Sequence, residues 1–173
     1  MNLKFFLILK FIFNITRNFF KNVKQEYNLY IYSKKNNCSF GQNINFLGPL
    51  SNISIGKNTT INSFANFRFK SAKINIGDDC LIARNVTILT QSYEIDNKEE
   101  ISLDDMIIKN VYIGNNVLLG SNVVIMPGVS IGNSSVIGAG SVVTKNIGDL
   151  EVWAGVPAKF IRKRNINNEK PTL

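Results

Sequence analysis

Residues 113–142 read Ile113-Gly-Asn-Asn-Val-Leu118, Leu119-Gly-Ser-Asn-Val-Val124, Ile125-Met-Pro-Gly-Val-Ser130, Ile131-Gly-Asn-Ser-Ser-Val136 and Ile137-Gly-Ala-Gly-Ser-Val142. The first position of each hexad is aliphatic, the second is Gly in four of the five, and the fifth is Val or Ser. A period of six matches neither a helix nor an ordinary strand. It predicts a solenoid of short strands and tight turns, in which each coil buries the apolar row of its neighbour.

Weaker hexads extend this pattern toward the N-terminus. They begin loosely near Phe40, become regular at 55–66, lose register over 67–75 and resume at 76–87. Residues 88–112 then lose the period and carry Glu94, Asp96, Glu99, Glu100, Asp104 and Asp105. We therefore predict a solenoid over 38–158 with an excursion loop over 88–112. Such insertions lie on one face of a solenoid, often the binding face.

The N-terminal residues 1–37 differ in character from the solenoid. Residues 1–21 are rich in Phe, Leu and Ile but are interrupted by Lys4, Lys10, Arg17 and Lys21. The longest uncharged run, 11–16, is far shorter than the roughly 20 residues that span a bilayer. The pattern predicts an amphipathic helix, with residues 1–30 lying at a membrane surface. The alternative is a helix that packs its Phe face on the solenoid or on a neighbouring subunit.

Composition narrows the classes of function. The chain has 20 basic and 12 acidic residues, which favours anionic partners or a solubilising surface. We expect no nucleic-acid partner, because no aromatic platform is interleaved with the basic residues. We also expect no metal site, because the sequence has no His or Cys cluster. The two cysteines, Cys38 and Cys80, lie far apart, which indicates a reducing cytoplasm rather than a disulfide framework.

Three segments carry a resemblance to a known family: 125–132 (Ile-Met-Pro-Gly-Val-Ser-Ile-Gly), 136–145 (ending in Thr144-Lys145) and 154–159 (Ala-Gly-Val-Pro-Ala-Lys). In these the chain resembles the hexapeptide-repeat acyltransferases, which include galactoside, maltose and serine acetyltransferases. It looks most similar to the branch that O-acetylates capsule, lipopolysaccharide or exopolysaccharide sugars. The resemblance implies an all-β fold, a left-handed parallel β-helix, with an N-terminal α-helical extension and a short basic C-terminal tail at 159–173. The handedness comes from the resemblance, because periodicity does not give it.

The resemblance also implies a homotrimer that holds acetyl-CoA in a groove between adjacent coils. Six residues match the family's contacts: Ser121 and Ala139 along the pantetheine arm, Thr144 and Lys145 near the adenosine end, and Lys159 and Arg162 near the nucleotide phosphates. Ser121 and Ala139 are eighteen residues apart, which is one full coil. Their small size has a second explanation, since the corner of a coil can itself require small side chains.

The family's general base is a histidine in the excursion, in a segment such as Thr-His-Ser-His-Asp. This chain contains no histidine and reads Thr90-Gln-Ser-Tyr-Glu94, so Gln91 and Tyr93 occupy the two histidine positions. A phenol is only about one part in a thousand ionised at pH 7. The candidate catalytic residues are therefore Tyr93 and Glu94, with Asp96 as a further carboxylate. Leu118 also departs from the family, because many relatives have Trp there to wall the acceptor site.

These observations predict an acyltransferase that moves an acetyl group from acetyl-CoA to a sugar hydroxyl of a surface polysaccharide or a lipid-linked precursor. The reaction would take place in the cytoplasm, with peripheral contact at the inner membrane. The alternative is a catalytically inactive homologue, in which the trimer binds CoA or serves as a scaffold.

Flotation with anionic liposomes tests the membrane prediction. We expect the intact chain to float with the vesicles and a chain beginning at Ile31 to stay behind, because the cations and aromatic residues of 1–30 supply the attraction. Equal recovery of the two chains would contradict a membrane role.

Overall fold

The computed structural model describes residues 29–96, 100, 102 and 104–166. The chain forms two compact units, Met1–Asn36 and Asn37–Leu173. Most of the predicted amphipathic extension lies outside the described residues, and within it residues 29–36 are helical. Among the residues described, no helix is long and apolar enough to cross a bilayer.

The second unit consists of short strands. In the described residues these are β1 Ser39–Phe40, β2 Asn45–Leu47, β3 Ile53–Ile55, β4 Thr60–Ile61, β5 Asn66–Arg68, β6 Ile74–Ile76, β7 Leu81–Ile82, β8 Thr87–Leu89, β9 Gln91–Tyr93, β10 Met106–Ile108, β11 Val111–Ile113, β12 Leu118–Leu119, β13 Val124–Ile125, β14 Ser130–Ile131, β15 Val136–Ile137, β16 Val142–Val143, β17 Glu151–Gly155 and β18 Ala158–Lys163. A 3-10 helix, Leu50–Asn52, lies between β2 and β3.

The strands form three parallel sheets, and successive strands along the chain belong to each sheet in turn. Sheet A contains β1, β4, β7, β12, β15 and β17, sheet B contains β2, β5, β8, β13 and β16, and sheet C contains β3, β6, β11 and β14. The exceptions are β18, which pairs antiparallel with β17 in sheet A, and β9 and β10, which form an antiparallel hairpin. Each coil therefore has three corners, which we call A–B, B–C and C–A after the sheets that they join.

The core lies between the three sheets. The second residue of four two-residue strands in sheet A is buried, at Ile61, Ile82, Leu119 and Ile137, and the residue before it is more exposed. Alternation along a strand produces this pattern, and the first hexad position supplies the inward side chain. Burying each such side chain contributes about 1.5–3 kcal/mol. The regular period therefore fixes both the coil and its core.

The C–A corner adds buried donors to this core. Cys38, Thr59, Cys80 and Ser135 occupy the fifth hexad position and donate to the carbonyl oxygens of Gly56, Gly77, Gly114 and Gly148, at 2.9, 2.8, 3.1 and 2.7 Å. Both cysteines are buried thiols that form no disulfide, and burial raises the pKa of each. Cys80 packs in the core, as its hexad position predicts.

The A–B corner turns through one residue in the left-handed conformation in each coil. These residues are Asn43, Phe64, Asn85, Asn122 and Gly140. From the second coil onward, the N–H of each one donates to a carbonyl oxygen of the preceding coil: Phe64 to Gln42, Asn85 to Ser63, Asn122 to Arg84 and Gly140 to Ser121, at 3.0, 3.1, 3.0 and 2.8 Å. The corner is therefore a continuous ladder along the solenoid.

Three features differ from the sequence predictions. The excursion is shorter than 88–112, because Ile88 and Val111 are fully buried and continue sheets B and C. The break at 67–75 is a longer coil: Thr60 pairs with Leu81, 21 residues on, whereas Leu118 pairs with Val136, 18 residues on. The predicted tail at 159–173 begins as β18, because the chain turns after Gly155 and pairs back on β17.

Candidate active site

Ser121 and Ala139 lie one above the other on the A–B corner. Leu118 pairs with Val136 just before them, and the N–H of Gly140 donates to the carbonyl oxygen of Ser121. The two coils are tightly packed here, since a Cβ on Gly120 would lie 2.5 Å from the backbone nitrogen of Ala139. Ala139 is exposed and Ser121 is half-buried. The two coils are therefore close together at this corner. Because the side chains of Ser121 and Ala139 are small, a ligand on the outside can approach the backbone.

The same corner continues to Lys159. The N–H of Gly138 donates to the Trp153 carbonyl oxygen at 2.8 Å, and the N–H of Gly155 donates to Ser141 Oγ at 3.0 Å. Lys159 pairs with Ala154 across the β17–β18 hairpin. A cation therefore follows Ser121 and Ala139 at the C-terminal end of the corner.

Glu151 holds the hairpin that carries Lys159 and Arg162. Its carboxylate accepts hydrogen bonds from Lys163 Nζ at 3.0 Å, from Trp153 Nε1 at 2.9 Å and from the N–H of Gly148 at 2.9 Å. The bond from Lys163, followed by that from Trp153, lowers the pKa of Glu151. The hairpin is thereby tied to the last turn of the solenoid.

Thr144 and Lys145 lie elsewhere, on the B–C corner after β16. Sheet B separates them from Ser121, because β16 pairs with β13 and Ser121 precedes β13. Met126 lies five residues after Ser121, and its N–H donates to the Val143 carbonyl oxygen at 3.0 Å, so Ser121 and Met126 are at most about 16 Å apart. Within one chain, the residues predicted to contact acetyl-CoA therefore form two groups, one at each end of the strands of sheet B.

The excursion leaves the solenoid at the same B–C corner. The side chain of Thr90 is buried and donates to the Arg68 carbonyl oxygen at 3.2 Å, and the Lys109 N–H donates to the Thr90 carbonyl oxygen at 2.9 Å. These bonds close the neck of the excursion. The β9–β10 hairpin then pairs Gln91 with Ile108 and Tyr93 with Met106. Gln91 and Tyr93 share one side of β9, because side chains alternate along a strand.

The two predicted catalytic side chains differ in their surroundings. Tyr93 is exposed on β9. The Glu94 carboxylate accepts hydrogen bonds from the N–H groups of Ile95 and Asp96, at 3.1 and 3.2 Å, and its own N–H donates to the Asp105 carbonyl oxygen. The Glu94 carboxylate therefore stabilises the start of the loop, whereas Tyr93 is an exposed residue.

In the sequence, Gln91 stands at a position where the family has histidine, and the structure gives it a further property. Its Oε1 atom is buried and has no hydrogen-bond partner among the described residues. An amide oxygen accepts a hydrogen bond but is not a base at neutral pH. Gln91 can thus orient a hydroxyl group without removing its proton. Within the described chain, no group of three or more metal-ligating side chains lies together.

Comparison with known proteins places these features in a family. The model of the bacterial transferase hexapeptide, which has six repeats, matches residues 110–145. Galactoside O-acetyltransferase of Escherichia coli (strain K12) is 45% identical over 123 residues, which cover 66% of this chain and 56% of that protein. The chain thus spans little more than half the length of this relative.

Solved structures show the same likeness. A hexapeptide-repeat-containing acetyltransferase from Vibrio cholerae is 30% identical, with 74% of this chain and 71% of that chain covered and a TM-score of 0.67. Its complex with acetyl coenzyme A is 28% identical, with 81% and 78% covered and a TM-score of 0.64. A maltose O-acetyltransferase from Clostridium difficile 630 is 38% identical, with 74% and 67% covered and a TM-score of 0.62.

The three sheets form a parallel β-helix, and the likeness to the hexapeptide-repeat acetyltransferase structures identifies it as left-handed, which confirms the predicted all-β fold class. The chain belongs to the hexapeptide-repeat acetyltransferase family, as its resemblance predicted. The assignment of individual residues to a cofactor or to catalysis stays a prediction.

The pH dependence of unfolding tests the role of Glu151. Because its pKa is lowered in the folded state, its stabilising contribution is complete above about pH 4.3, the ordinary glutamate value, and is lost as the pH falls through the lower folded-state pKa. We expect Glu151→Gln to lower the free energy of unfolding at pH 7 and to lose less stability than the wild type on acidification. Urea titrations at a series of pH values measure this, with Glu94→Gln as the control. A constant difference between wild type and Glu151→Gln would contradict the prediction.

Proposed function

We propose that this chain is an acetyl-CoA-dependent O-acetyltransferase that acts on a sugar hydroxyl. The observation that carries the proposal is the A–B corner, where Ser121, Ala139 and Lys159 follow one another along the solenoid. Membership of the family supports it, since related proteins are a galactoside and a maltose O-acetyltransferase. The complex of the Vibrio cholerae relative with acetyl coenzyme A supports the choice of donor.

The donor would lie along the corner with its pantetheine arm beside Ser121 and Ala139. Small side chains allow the arm to approach the backbone. Lys159 and Arg162 would neutralise the nucleotide phosphates, because cations stabilise such anions through charge-assisted hydrogen bonds. The direction of the donor then follows: the nucleotide lies at the C-terminal coil and the acetyl group lies toward the N-terminal coils.

A homotrimer would complete this site. Thr144 and Lys145 lie on the B–C corner, whereas Ser121 and Ala139 lie on the A–B corner. A donor molecule that follows one corner therefore does not reach both pairs of residues in the same chain. Packing the B–C corner of one copy against the A–B corner of the next would bring them together. The same packing would bring the excursion, with Gln91 and Tyr93, to the donor of a neighbouring copy.

The acceptor would be a sugar of a surface polysaccharide or of its lipid-linked precursor, in the cytoplasm and at the inner membrane face. The spaced cations and aromatic residues of 1–30 support membrane contact, because such segments bind anionic lipid surfaces. The net charge of +8 also favours an anionic surface or substrate.

The reaction would be a direct transfer. The sugar oxygen attacks the thioester carbonyl carbon, an ester bond forms, the C–S bond breaks, and the hydroxyl proton passes to the departing CoA thiolate. Tyr93 or Glu94 would relay this proton, and Gln91 Oε1 would accept a hydrogen bond that orients the hydroxyl. Orientation of this kind itself contributes several kcal/mol to catalysis.

One observation favours a second function. At the two positions where the family has histidine, the chain has an amide and an exposed phenol, and the adjacent Glu94 carboxylate binds loop N–H groups. A chain with this excursion would hold acetyl-CoA on the same corner without transferring the acetyl group. It would then serve as a CoA-binding scaffold.

Acetyl-CoA binding tests the corner. Ala139 is exposed, so Ala139→Leu should fold normally while its side chain fills the groove. Overpacking of this kind costs about 1–3 kcal/mol, so we expect roughly tenfold weaker binding of acetyl-CoA by calorimetry. Ala139→Ser, which stays small, should bind as the wild type does. Equal affinity of all three proteins would place the donor elsewhere.

Transfer assays with Tyr93→Phe and Glu94→Gln separate the two functions. Loss of the proton-relaying group should lower kcat by about 10²–10⁴ and leave acetyl-CoA binding unchanged. The readouts are CoA thiol release and the mass of the acetylated glycan. Tyr112→Phe, an exposed tyrosine on sheet C, is the matched control. Tight acetyl-CoA binding by the wild type without any acetylated product would favour the scaffold.

A further inference from the structure

Phe64 adopts a backbone conformation that its residue type does not favour. Its φ angle is +66°, on a corner where the equivalent residues are Asn43, Asn85, Asn122 and Gly140. Asn and Gly enter the left-handed region easily, whereas a bulky residue there is an outlier. Strained residues of this kind cluster at functional sites.

The surroundings of Phe64 fix its backbone without burying its ring. Its N–H donates to the Gln42 carbonyl oxygen at 3.0 Å, and its carbonyl oxygen accepts a hydrogen bond from Asn66 Nδ2 at 2.8 Å. The residue nevertheless remains 46% exposed. Core packing therefore does not account for an aromatic ring at this position. Asn would adopt the left-handed conformation of this turn with less backbone strain.

Arg84 lies over the exposed ring. Its guanidinium carbon is 5.8 Å from the ring centroid of Phe64, and the side chain faces solvent. In the part of the chain that the structure describes, the one ion pair joins Lys163 to Glu151, so Arg84 has no carboxylate partner there. A guanidinium held in place by a ring and free of a carboxylate is well suited to binding an oxyanion in bidentate fashion.

The pair lies on the corner that also carries Ser121 and Ala139. The N–H of Asn122 donates to the Arg84 carbonyl oxygen at 3.0 Å, and that of Asn85 donates to Ser63 at 3.1 Å. Neighbouring coils are about 4.8 Å apart, so Arg84 lies about 5 Å and Phe64 about 10 Å beyond Ser121. This direction leads away from Lys159. It is the end of the corner at which an acetyl group would meet its acceptor.

We propose that Phe64 and Arg84 form the acceptor subsite and select a sugar that bears an oxyanion, an inference that rests on the proposed acetyl transfer. The ring of Phe64 stacks against the apolar C–H face of a pyranose. The Arg84 guanidinium donates two hydrogen bonds to the anion, which is either the carboxylate of an acidic sugar or the phosphate of a sugar phosphate. A neutral sugar forms the stacking contact alone.

The matched variants are Arg84→Gln, Phe64→Asn and Lys57→Gln, all in the full chain. Lys57→Gln removes one exposed cation from the C–A corner and controls for net charge. Three acceptor probes separate the anion sources: a glucuronic acid disaccharide, a neutral glucose disaccharide and glucose 1-phosphate. Binding of each probe is measured by calorimetry, and kcat/KM for acetylation is measured in parallel.

We expect Arg84→Gln to weaken binding and kcat/KM about tenfold or more for an anionic probe and to leave the neutral probe within about twofold, because hydrogen bonds to charged groups are the strong ones. Lys57→Gln should match the wild type. Whichever anionic probe shows the loss identifies the source of the oxyanion. An equal loss for the anionic and neutral probes would overturn the proposal.

Phe64→Asn gives a second, independent test. Asn relieves the strain at φ +66°, so the melting temperature should rise while the binding of every sugar probe weakens. A fall in melting temperature would show that the ring is structural and would overturn the proposal. Acetyl-CoA affinity should stay unchanged in all variants. If an anionic probe binds through Arg84 but no probe is acetylated, the result contradicts the proposed reaction and supports the subsite. If neither anionic probe binds, the result contradicts the subsite.

Discussion

The solenoid depends on the geometry of its corners. Each coil buries its apolar row only if the chain turns sharply and returns in register with the coil before it. On the A–B corner the turn is made by a left-handed residue whose N–H bonds to the preceding coil, as at Asn85, Asn122 and Gly140. Asn and Gly make this turn at small cost because they enter the left-handed region readily. The corner ladder thus determines which side chains stack outside as well as which stack inside.

The ladder of hydrogen bonds also determines where the exposed side chains of the A–B corner lie. On the A–B corner the side chains of Phe64, Arg84 and Ala139 are exposed, and the residue one coil away lies about 4.8 Å further along the axis. Ser121, Ala139 and Gly155 therefore form a row of small residues flanked by cations at Arg84 and Lys159. The excursion separates these residues in sequence but does not interrupt the row, because a hydrogen bond between Thr90 and Lys109 closes its base. The entropic cost of closing a loop rises only slowly with its length.

The sequence predicted those parts of the fold that repeat. Hexad position determines which residues enter the core, and spacing of eighteen places Ser121 beside Ala139. Features that do not repeat were missed or misplaced. Strand β18 follows no hexad period, so the sequence predicts a tail where residues 159–163 form a strand. The two strands of the excursion hairpin have three residues each and are too short to produce a pattern. Phe64 at a fourth hexad position is visible in the sequence. Its contact with Arg84 is not, because coils of 21 residues hide the register.

Antiparallel β18 also determines how the solenoid ends. A parallel β-helix that stopped at β17 would present a row of unpaired N–H and C=O groups to which another chain could add a strand. In sheet A the chain instead reverses and pairs β18 with β17, so the last strand of that sheet carries Lys159 and Arg162. Cations on an edge strand repel a second copy of the same edge. The hairpin that presents Lys159 at one end of the A–B corner thus also disfavours the addition of a second copy to the last strand of sheet A.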